Sequence, residues 1–139
     1  MSKRTFIVFG VLILVLAVVI PWLAFRSKGD ATRGDQKVAA DLEGGQSLFQ
    51  TNCGTCHTLY SAGTDGNYGP NLDELLAPSG PPTGSSTAKA IEATEGRVLL
   101  AVEKGADSAT TPGRMPGGIL NKQQSKEVAE FVAATAGEG

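Results

Sequence analysis

With 139 residues and a formal net charge of -2, the chain has room for one small domain and no global basic footprint for nucleic acid. The near-neutral total conceals a split: residues 1–40 carry six Lys/Arg against two acids, whereas residues 41–139 carry six against twelve. Scarce residues narrow the chemistry further, since there are two cysteines (Cys53, Cys56), one histidine (His57) and, beyond Met1, one methionine (Met115).

Residues 6–25 read FIVFGVLILVLAVVIPWLAF, with no charge among them. At a rise of about 1.5 Å each, such a run is roughly 30 Å of helix, one hydrocarbon thickness. It predicts a single transmembrane helix in contact with membrane lipid, residues 1–25 being tail and anchor. Pro21 falls in the last turn, where the interface can satisfy a broken hydrogen bond, and the Trp22 indole suits the headgroup layer. A cleaved signal peptide is the rival reading. The run exceeds the usual apolar region of about 7–15 residues, and no A-x-A site follows closely. A count of Lys and Arg leaves orientation in conflict: Lys3 and Arg4 precede the helix, but Arg26, Lys28, Arg33 and Lys37 follow it. Residues 26–40 are polar without an apolar period and predict a flexible linker, with a mean span of about 20–23 Å as coil. Residues 41–139 remain as the folded domain.

That domain opens with a predicted helix over 41–52, with Gly45, Leu48 and Phe49 on one side. At its end stands Cys53-Gly54-Thr55-Cys56-His57, the C-x-x-C-H pattern of covalent haem attachment. Two thiols a turn apart can each add to a haem vinyl group, and the adjacent imidazole can then bind iron. Gly54 is expected to leave room for the porphyrin. A zinc site wants four ligands, and no second Cys/His pair exists. A thioredoxin-like pair wants a βαβ setting, and a disulfide across so short a loop would stabilise little. One covalent haem c is therefore the expected cofactor.

Residues 58–93 show little periodicity and many turn residues, with 79–86 expected to be the most mobile. Within them, Gly69-Pro70-Asn71-Leu72 is a turn whose Pro70 carbonyl could accept the free ring N–H of His57 and raise its basicity. A second helix is predicted over 97–104, with Thr94 a candidate N-cap and Gly105 beyond its end. Met115 follows in a Pro/Gly-rich loop, where Pro116 restricts it to extended backbone and helps aim its thioether at iron. A third helix is predicted over 121–134, capped by Asn121, with Val128, Phe131 and Val132 at i, i+3, i+4 spacing. No convincing strand is seen, so the fold class is all-α.

From residues 41 to 135 the chain resembles the class I cytochromes c. Gly45 and Phe49 look like the family's Gly/aromatic pair on the first helix, and Phe131 like the aromatic that crosses it. Gly69-Pro70-Asn71-Leu72 resembles the proximal loop and Met115-Pro116 the distal one. The resemblance implies a small helical haem domain after the N-terminal helix. It implies haem contacts from Cys53, Cys56, His57, Pro70, Leu72 and Met115, with His57 and Met115 on iron. It also implies haem attachment outside the cytoplasm, which places the domain on the extracytoplasmic face of the cell membrane.

The expected function is one-electron transfer between redox proteins, with no catalysis of its own. Two filled axial positions argue against oxygen activation, which needs an open one. The alternative is a haem subunit through which electrons enter or leave a respiratory or photosynthetic oxidoreductase complex. The acidic balance fits a basic face on a partner, and fits plain solubility equally well. Tyr60, Tyr68, Asn71 and Arg114 are candidate donors to the haem propionates, and Arg97 reads as a helix-face charge.

Overall fold

The structure, a computed structural model, describes residues 3–26, 37–84, 87–107 and 113–139. Most of the predicted linker lies outside these residues, as do residues 85–86 of the segment expected to be most mobile. The chain divides into two compact units at Arg33 and Gly34.

The first unit holds helix α1, Lys3–Arg26, with Pro21 inside it near its end. Its apolar side chains are exposed, Ile7 and Leu14 at 66%. Among the described residues no helix is long and apolar enough to cross a membrane. The described side chains of α1 are Thr5 and residues 7–22, short of the ~20 residues a span needs.

The second unit is helical, with α2 (Glu43–Asn52), α3 (Leu72–Leu76), α4 (Thr87–Lys104) and α5 (Lys122–Thr135). Both α2 and α4 pack on α5. The crossing of α2 and α5 depends on Gly45: a Cβ there would stand 2.6 Å from Cβ of Phe131. Close approach lets Phe49 and Phe131 meet in a tilted pair, ring centroids 6.1 Å apart at 60°. Leu59, Val128 and Val132, with Cys53, Ala62 and Ala136, form the buried core around them. The start of α5 is a full capping box, in which Asn121 Oδ1 accepts from Gln124 N at 3.0 Å and Gln124 Oε1 accepts from Asn121 N at 3.1 Å. Such caps contribute about 1 kcal/mol.

Several expectations are corrected here. α4 begins at Thr87, so Thr94 lies within the helix and is not its cap. Ala88, Lys89, Ala90, Glu92 and Ala93 are strong helix formers that outweigh the neighbouring turn residues. Gly96 does not break the helix, and a Cβ there would meet nothing within 4 Å. Gly105 ends it as expected, with φ +80°. α3 lies in the stretch read as loop, and two short strands, β1 (Thr58–Leu59) and β2 (Thr64–Asp65), pair antiparallel. Two-residue strands leave no alternation to read in a sequence. The predicted 41–52 helix loses its first two residues, since α2 starts at Glu43 after a turn.

Candidate haem site

The attachment motif occupies a turn that unwinds from α2. Cys53 N–H still donates to Phe49 O at 2.8 Å, and Cys56 and His57 N–H both donate to Cys53 O, at 3.0 and 2.9 Å. This turn brings Cys53, Cys56 and His57 to one wall of a cavity of about 510 Å³. Burial, reinforced by the neighbouring Cys56 sulfur, pushes the Cys53 thiol up to about 11. Cys53 therefore stays neutral at physiological pH, and a neutral thioether would suit the same surroundings. The two sulfurs are not joined to each other.

His57 is buried, and its Nδ1 lies 2.9 Å from the Pro70 carbonyl. With Nδ1 donating that bond, Nε2 is left as the free lone pair for a metal. The Pro70 loop is held in turn by Gly69 N–H, which donates to Cys56 O at 2.7 Å. Gly69, read in the sequence only as the start of this turn, is itself a site residue. A Cβ on it would stand 2.6 Å from His57 Cε1 and 2.8 Å from Nδ1, so the ring occupies the space a side chain would take.

Met115 reaches the same cavity from another segment. It bridges to Ala106 just beyond α4: Met115 N donates to Ala106 O at 2.9 Å, and Ala106 N to Met115 O at 3.2 Å. Extended pairing agrees with the restriction Pro116 places on its backbone. Gly113, in the same segment, leaves room for the Tyr68 ring, whose Cζ would be 2.7 Å from a Cβ there. The segment carrying Pro70 and the one carrying Met115 therefore touch at the cavity. Residues 108–112 lie outside those described.

Leu72 lines the cavity with Phe49, Leu76, Val98, Val102 and Val132, giving walls that are mainly apolar. Among the four candidate propionate donors, Tyr68 and Arg114 line it, and Tyr60 and Asn71 do not. Asn71 instead caps α3, its Oδ1 accepting from Asp73 N at 3.0 Å. Arg97, read as a helix-face charge, also lines the cavity. It shares that lining with Val98, Ala101 and Val102 of α4, a surface that the charge alone did not reveal in the sequence. Arg114 pairs with Asp107 at 3.3 Å, both well exposed, a contact of little energetic weight. Gly54 does not line the cavity. A Cβ on it would meet Thr64 Cγ2 at 2.5 Å and Gln50 O at 3.0 Å, so its missing side chain serves the packing of β2 on the motif turn.

The residues present fit a covalent haem. The thiols suit its vinyl groups, an oriented imidazole and a thioether suit iron, and apolar walls suit the ring faces. Together with the helical fold, this chemistry defines a small c-type haem protein. The chain belongs to the cytochrome c family, whose pattern, described as Cytochrome c, matches residues 42–136. Covalently bound haem c and electron transfer come with that membership. Among solved structures, the c-type cytochrome SorU from Sinorhizobium meliloti is 30% identical, with 70% of this chain and 92% of that one covered and a TM-score of 0.47. A comparison with the curated proteins gives no match.

Proposed function

We propose that the protein is a one-electron carrier whose single haem has His57 and Met115 as axial ligands, and that residues 6–25 tether it at the extracytoplasmic face of the membrane. The observation that carries the ligand assignment is the pairing of two unlike donors on one cavity. His57 has one ring nitrogen already committed to Pro70, and Met115 is held by a backbone bridge. Haem supplies, when bound, an iron that alternates between ferrous and ferric. The chain's own residues keep that iron in apolar surroundings, hold the imidazole in one tautomer and fill the remaining axial position with sulfur. Sulfur ligation raises the reduction potential relative to two nitrogen ligands.

Met115→Ala tests the assignment. The variant should keep its c-type pyridine haem spectrum, lose the weak far-red band of sulfur-ligated ferric haem, and show a lower potential. An unchanged band and potential would exclude Met115.

The tether rests on the uncharged run of residues 6–25. With residues 1–25 replaced by a cleavable export signal, the haem domain should appear in the soluble fraction with its spectrum intact. Retention with membranes through a stable complex would favour the alternative, a subunit through which electrons enter or leave a larger oxidoreductase.

A further inference from the structure

Asp73 is a buried carboxylate in the first turn of α3, three residues after Pro70. Its Oδ2 accepts the backbone N–H of Tyr60 at 2.8 Å, and its Oδ1 accepts that of Gly137 at 2.8 Å. One side chain therefore fastens α3 to the turn after β1 and to the chain beyond α5. Its own N–H donates to the Asn71 cap at 3.0 Å. Among the described residues no cation pairs with it, so backbone donors alone offset its desolvation. Asp73 does not line the haem cavity, although Leu72, Leu75 and Leu76 around it do. The carbonyl that fixes His57 belongs to Pro70, on the short strand of chain between the motif turn and this anchored helix.

We propose that Asp73 is a positioning residue: by anchoring the first turn of α3, it holds the Pro70 carbonyl on Nδ1 of His57 and so sets the basicity of that imidazole. The proposal rests on His57 being an iron ligand. Its expected direction follows from the hydrogen bond. A firmly held Pro70 carbonyl makes the imidazole more electron-rich and favours the ferric state, and a loosened one favours the ferrous state.

Asp73→Asn keeps the size of the side chain but offers one acceptor oxygen to two N–H groups. In the ferrous holoprotein, hydrogen exchange of the His57 Nδ1 proton, followed by NMR, should accelerate by at least about tenfold. The midpoint potential should rise. Asn71→Ala frees the same turn without a change of charge and should move both readings the same way, whereas Asn71→Ser, which keeps a capping oxygen, should restore them. If Asp73 acted only as a charge, its replacement would move the potential and leave exchange untouched; that outcome overturns the proposal. Should Asp73→Asn fail to fold, unchanged exchange in Asn71→Ala overturns it equally. A parent protein without a low-spin c-type spectrum would instead sink the ligand assignment of His57.

Discussion

Gly69→Ala should displace the His57 imidazole and lower the stability of the holoprotein by about 2–4 kcal/mol, combining overpacking with a lost hydrogen bond. The new Cβ would lie within 3.0 Å of three ring atoms, the nearest at 2.6 Å. A side-chain tip can usually swing away from such a clash. This one is buried and committed to Pro70 at 2.9 Å, so moving it costs that bond. The potential should rise, because an imidazole released from Pro70 is a poorer electron donor to ferric iron. The direction is opposite to that expected of Met115→Ala, so one redox titration of each variant separates damage on the two sides of the site. Denaturant unfolding read at the Soret band measures the stability term. A Gly69→Ala protein with parental stability and potential would mean that His57 is not held as described.

Phe131→Ala should carry the largest stability cost in the domain, about 3–5 kcal/mol. Its ring is fully buried, packs on Phe49 at 6.1 Å and fills the crossing of α2 and α5. Against a total stability of about 5–15 kcal/mol for an ordinary domain, that loss is a large fraction. The melting temperature should fall by on the order of 10–30 °C. Gly45→Ala attacks the same crossing from the other side, forcing the helices apart where Phe131 Cβ stands 2.6 Å from the new atom. Calorimetry of both variants is the measurement. A Phe131→Ala protein within about 1 kcal/mol of the parent would show that the crossing is not the structural core.

Some of this was legible without coordinates because it is local. The C-x-x-C-H run places its donors by covalent adjacency alone, and Pro116 fixes the backbone before it. Val128, Phe131 and Val132 announce the buried face of α5 through helical spacing, and Asn121 announces its start. The same reasoning failed where local signals competed. The turn residues around 78–86 hid the first ten residues of α4, 87–96, and an isolated arginine on that helix gave no sign of which surface its face would meet.

What the sequence by itself determined is the chemistry: the thiols, the imidazole, the thioether and the apolar run of residues 6–25, each set by composition and short spacing. Only the tertiary structure decided their surroundings. It put Arg97 at the cavity and Tyr60 and Asn71 elsewhere, gave Gly54 to β2 and Gly69 to His57, and brought the Gly137 N–H to Asp73 across 64 positions of chain. Contacts of that kind depend on where distant segments return, and no period or motif encodes the return. It is decided by the packing of α2, α4 and α5 around one core.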